Sequence, residues 1–120
     1  MSIEEIVDFT YSRHKLLQKL VSKTELSNFL SQNKNNIIEV RENNELIATG
    51  FYLKFDSELH FLFATVKEGI NGIPIMLRTI RDKTNEMGAK YVSWYNPELK
   101  FKRWKVKGGR QCQTQLQQQQ

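Results

Sequence analysis

The chain has 120 residues, a formal net charge of +5, 39% hydrophobic residues and 26% charged residues, a balance suited to one globular domain that buries its own core. Cys112 is the only cysteine, which excludes a disulfide framework and a CxxC zinc site. No apolar stretch approaches the roughly 20 residues that span a bilayer, and the start, Met1-Ser2-Ile3-Glu4-Glu5, is acidic where a signal peptide is basic, so a cytoplasmic setting without membrane contact is expected.

In chain order, Ile3, Ile6, Val7, Thr10, His14, Leu17, Leu20 and Val21 recur at helical spacing and predict one amphipathic helix, opened by a Ser2/Glu5 capping box. A shorter helix follows, with Leu26, Phe29 and Leu30 on one face. Ile37 to Glu42 and Leu46 to Phe55 read as strands joined by an Asn43-Asn44 turn, because asparagine tolerates left-handed backbone angles. Ile47, Phe51, Leu53 and Phe55 are expected to share a face. Asp56-Ser57 turns into Leu59 to Val66, which is apolar on both faces and therefore central in its sheet.

After the Gly69-Ile70-Asn71-Gly72 loop, Ile73 to Met87 has a helical stripe with Pro74 in its first turn and Gly88 as its stop. Tyr91 to Tyr95 is then a strand expected to run parallel to Leu59 to Val66. Glu98 to Lys107 fits helix and strand equally. Six bases (Lys100, Lys102, Arg103, Lys105, Lys107 and Arg110) against Glu98 concentrate the positive charge there, while the rest of the chain is balanced. Such a segment, interleaved with Phe101 and Trp104, suits either a solvated amphipathic element or a surface for phosphate groups or nucleic acid. Residues 1–110 read as one α+β domain, with a helical entry unit over 1–35 and a sheet with its crossover helix over 37–108; Gln111 to Gln120 is a glutamine-rich tail.

The order of strand, Gly-containing turn, helix and strand ending at Asn96 resembles the core of the Gcn5-related N-acetyltransferase superfamily over Ile37 to Gly108. That resemblance implies a mixed, mostly antiparallel sheet with one parallel β-α-β crossover and helices on the faces. It also implies acetyl-coenzyme A as cofactor, its pantetheine arm along Phe63, Ala64, Thr65 and Val66, its pyrophosphate on the amides of Gly69, Asn71 and Gly72, and its adenosine phosphate near Arg103 or Lys105. The family's strand glutamate falls near Phe63, and the tyrosine of its last helix, between the Asn96 and Gly108 markers, falls on Trp104; neither residue supplies an acid or base. His60 and Tyr95 are the polar candidates for proton transfer. The two distant histidines give no metal site.

Phe61 to Thr65, Trp94 to Asn96 and Phe101 to Gly108 also resemble the acetyltransferase-like internal virion proteins of short-tailed bacteriophages. That second resemblance implies a non-catalytic descendant acting in virion assembly or on a host process, in a bacterial cytoplasm or a virion. With the family's last two strands missing, the Tyr91 to Tyr95 edge is expected to lie open, covered by a second copy or a larger protein assembly. Nucleic-acid binding through Lys100 to Arg110 is the less favoured alternative.

Overall fold

A computed structural model describes residues 2–69, 72–96 and 98–106. Asn71, Gly108 and the glutamine-rich tail lie outside the described residues.

The helical entry unit is three helices, α1 (Ile3–Arg13), α2 (Lys15–Leu20) and α3 (Lys23–Gln32). The single helix expected over the first 21 residues breaks at His14, which leaves helical backbone angles (φ −116°, ψ 92°). The cause is local: His14 Nδ1 accepts the Leu17 N–H at 3.2 Å and so caps α2 in the manner of a serine or asparagine. Half of the expected first capping box forms. Ser2 Oγ accepts from Glu5 N at 3.3 Å, but the Glu5 carboxylate turns to Arg41, with Oε1 2.5 Å from Nη2. The reciprocal box forms at α3, between Ser22 and Glu25.

The sheet has the order β1 (Ile37–Glu42), β2 (Glu45–Phe55), β3 (Glu58–Val66), β4 (Tyr91–Tyr95) and β5 (Phe101–Lys105). Only β3 and β4 pair in parallel, through the crossover helix α4 (Ile73–Glu86). The hairpin turns follow their residues: Asn43 and Asn44 adopt φ of 52° and 68°, and Asp56 one of 51°. The segment that fitted helix and strand alike is the strand β5. It pairs antiparallel along all of Tyr91–Tyr95, so the edge expected to be open is covered, and among the described residues β5 is the outer strand. Among the described residues β4 is followed by β5, with no helix between Asn96 and Trp104.

Adjacent residues of β2 show how the layers divide. Phe51 packs with Ile6, Val7, Phe9, Leu26, Leu30 and Phe63 under α1 and α3, whereas Tyr52 packs with Leu59, Phe61, Met76, Ile80 and Val92 under α4. Two bulges adjust these faces. Val40 pairs with Ala48 and Arg41 with Leu46, so the buried Ile47 has no opposite residue on β1. Phe51 pairs with Phe63 and Tyr52 with Phe61, so Leu62 is likewise the extra residue of β3. Phe55, also expected on that apolar face, runs beyond the helices and is exposed. At Gly50 the sheet and α4 approach closely. A Cβ there would lie 2.9 Å from Met76 Cε and 3.4 Å from Phe61 Cε2.

Two predictions follow from these contacts. Gly50→Val is expected to cost about 1–3 kcal/mol in denaturant unfolding, and Gly50→Ala less, because the terminal methyl of Met76 can move. His14→Ala removes the α2 cap and is expected to cost about 1 kcal/mol, most of it regained by His14→Asn. Burial pushes the His14 imidazole below the ordinary histidine value. The folded chain therefore binds fewer protons there than the unfolded chain, so this contribution is complete above about pH 6.5 and is lost as pH falls below it. Thermal melts from pH 7 to pH 5 should show that loss in the native chain and not in His14→Asn.

Candidate functional site

The parallel ladder between β3 and β4 is short. It runs from Glu58 opposite Tyr91 to Phe61 opposite Trp94 and stops at the Leu62 bulge, while β3 continues to Val66. Beyond Phe61 the two strands form a fork, and the side of β3 that faced β4 has no ladder partner among the described residues. α4 starts at the open end of that fork. Gly69, with φ of 77°, turns the chain after β3. Gly72 is the N-cap of α4 and supplies no side-chain cap, and the first turn of α4 carries no acid. The N–H groups at this helix start therefore face no carboxylate of their own helix, which suits an anion.

A cleft of about 810 Å³ fills the fork. Its walls are Phe61, Leu62, Phe63, Ala64 and Val66 of β3, Ile73, Met76, Leu77 and Ile80 of α4, Trp94 and Tyr95 of β4, and the junction of α1 and α2 from Arg13 to Leu16. Leu99 and Trp104 close it from the β4–β5 hairpin. That hairpin is organised by Asn96, whose Oδ1 accepts from Glu98 N at 3.0 Å and Lys100 N at 2.9 Å, while Leu99 adopts φ of 62°. Asn96, expected to precede a helix, instead makes a turn.

Of the residues expected at a cofactor, Phe63, Ala64 and Val66 line the cleft. Thr65 does not line it; it pairs with Thr49 on β2 and is buried, its Oγ1 without a hydrogen-bond partner. Gly69 and Gly72 flank the start of α4. Arg103 and Lys105 are absent from the cleft walls, because alternation along β5 sends Trp104 toward the cleft and its neighbours to the other face. There Arg103 lies 3.9 Å over the Tyr91 ring and pairs with Glu58 at 3.0 Å.

His60 and Tyr95 come together. Their ring centroids are 5.6 Å apart, edge to face, and Phe101 touches both, stacked on His60 at 6.2 Å and edge-on to Tyr95 at 5.5 Å. His60 Nδ1 lies 2.8 Å from Oγ of the fully buried Ser93, directly across the ladder. With the proton on Nδ1, that bond fixes the ring and leaves Nε2 as an acceptor. Tyr95 reaches the cleft; His60 is one residue before the last pair of the ladder. Sequence reasoning missed Arg13, Leu16, Leu20 and Leu99. Helical spacing placed the α1 and α2 residues in one continuous helix, and nothing in a local pattern reports that they bend over the start of α4. Among the described residues no cluster of three or more metal-ligating side chains forms, and no helix is long and apolar enough to cross a membrane.

No protein-family model matches the sequence, and no curated protein matches it significantly. Solved structures do match the fold. Gcn5 from Tetrahymena superposes with a TM-score of 0.58 at 10% identity, over 79% of this chain and 63% of that one. PaiA N-acetyltransferase from Thermoplasma acidophilum, solved with coenzyme A, gives 0.55 at 17% identity, over 80% of this chain and 76% of that one. The ribosomal-protein-S18-alanine N-acetyltransferase from Escherichia coli gives 0.47 at 14% identity, over 57% of this chain and 48% of that one. The chain thus spans about half to three quarters of the length of these structures. Its five-stranded mixed sheet, single parallel pair and crossover helix are the fold of the Gcn5-related N-acetyltransferase superfamily.

Proposed function

We propose that the chain is an acyl-coenzyme A-dependent N-acetyltransferase. The observation that carries this reading is the fork between β3 and β4, which opens onto the 810 Å³ cleft and ends at the acid-free start of α4. A long, mostly apolar ligand with an anionic end fits such a cleft. Backbone groups of Phe63, Ala64 and Val66 hold the pantetheine arm, and the amides at Gly69 and Gly72 hold the pyrophosphate. When bound, acyl-coenzyme A supplies an acyl group activated as a thioester. Ser93 orients the His60 ring, His60 Nε2 takes a proton from the incoming amine, and the Tyr95 hydroxyl holds a proton at the mouth of the fork. Leu62, Leu77 and Leu99 lie exposed along the cleft and offer apolar surface to the arm of the ligand, and a fixed orientation of the two reactants contributes much of the rate.

A non-catalytic role in protein assembly is favoured by one observation: all five residues of the outer strand β5 are exposed, which leaves an edge able to pair with another chain.

Calorimetric titration with acetyl-coenzyme A tests the first reading. Micromolar binding is expected, and Gly72→Trp, which puts an indole at the start of α4, should abolish it. In a thiol-release assay against a panel of primary amines, His60→Gln should lower turnover about a hundredfold while coenzyme affinity stays unchanged. Absence of heat together with concentration-dependent self-association in ultracentrifugation would select the assembly role instead.

A further inference from the structure

The cleft holds a guanidinium for which the transfer reaction above has no role. Arg13, the last residue of α1, lines the cleft and reaches the loop between β3 and α4. Its Nε and Nη2 donate to Glu68 Oε2 and Oε1, each at 3.1 Å. This two-pronged geometry fits a phosphate as well as a carboxylate.

The two partners are held very differently. The Arg13 side chain is 24% exposed, its guanidinium lies 4.1 Å over the Phe9 ring, and Nη1 donates to Phe9 O at 3.2 Å. The Glu68 side chain is 73% exposed. If the pair opens, Arg13 stays in place and Glu68 swings into water. An ion pair with one partner so exposed contributes little, so exchanging one anion for another is cheap. Glu68 is also the only acid between Lys67 and Gly72, the loop that leads into α4.

We propose that Arg13 is a phosphate-binding residue of the cleft, and that Glu68 occupies its guanidinium until a phosphate of a coenzyme A-type ligand displaces it. The proposal rests on the acyl-coenzyme A reading and adds to it a binding residue from outside the β3–α4 loop. It also gives the ion pair a consequence. Phe9 holds the guanidinium in place in the free protein, and Glu68 competes with the ligand for it.

Coenzyme A itself is the probe, titrated calorimetrically into the native chain and into the Glu68→Gln, Arg13→Gln and Arg13→Lys variants, with melting temperatures recorded for each. Glu68→Gln is expected to bind about threefold more tightly, because the competing charge is gone. Arg13→Gln is expected to bind about tenfold more weakly, and Arg13→Lys should fall between it and the native chain. If the pair only straps α1 to the loop, both single neutralisations release the strap and shift affinity in the same direction. Shifts of the same sign, or no shift in Glu68→Gln, overturn the proposal while leaving the acyl-coenzyme A reading intact. That variant alters an exposed side chain, so its result does not depend on whether the arginine variants fold. A native chain that binds no coenzyme A overturns both.

Discussion

One extra residue in the central strand controls what this sheet can do. A regular β3 would keep Phe61 and Phe63 on the same face. With Leu62 bulged, Phe61 stays under α4, Phe63 passes to the core under α1 and α3, and the parallel ladder stops at Phe61 opposite Trp94. A bulge increases local twist and ends pairing. The cleft lies where β3 runs on past the end of β4 and α4 begins, and the β4–β5 hairpin and the α1–α2 junction complete its walls. The cores on both faces depend on the same residue. Removing the bulge would send Phe63 away from Phe51, whose ring it meets at 6.1 Å.

The helical layer completes the arrangement. α1 cannot continue through residue 14, because the His14 side chain takes the N–H of Leu17 and starts a new helix. The break lets α2 bend over the open end of the fork, so that Lys15, Leu16 and Leu20 face Ile73 and Leu77 across the cleft. The bend is braced from within: Tyr11 Oη donates to Val21 O at 2.9 Å. Arg13 lies at the same break, and the end of α1 is also a favourable place for a cation. The residue that stops the helix and the one that reaches the β3–α4 loop are therefore neighbours in sequence.

Much of this was legible in the sequence, and the physical reason differs from element to element. The Asn43-Asn44 and Asp56-Ser57 turns could be placed because their residue types tolerate left-handed angles, and α4 could be placed because its stripe, its proline and Gly88 agree. Those are local signals. The bulges at Ile47 and Leu62 are not local, because a bulge exists only relative to the partner strand, and Leu62 sits in an unbroken apolar run. β5 was ambiguous for a related reason. Phe101 to Lys105 has little apolar periodicity of its own, and pairing with β4 decides its form. His14 misled because a histidine at a helical position reads as part of the stripe unless its ring is known to accept a backbone N–H. Of the candidate residues, His60 and Tyr95, named for their chemistry, lie next to each other in space; Arg103 and Lys105 were named for charge, and alternation along β5 turns them away from the cleft.

The placement of proton-handling groups follows from the same alternation. On β4, Val92 and Trp94 face α4, so Tyr91, Ser93 and Tyr95 face the opposite side, joined there by His60 across the ladder and by Phe101 and Arg103 from β5. The titratable side chains of β3 and β4 thus gather on one face, while Phe61, Val92, Trp94 and the α4 residues that wall the cleft on the other are apolar. Phe63 and Trp104 contribute apolar surface to the cleft. The fork joins these two environments. Tyr95 belongs to both, since its ring meets His60 and Phe101 on the polar face and it also lines the cleft.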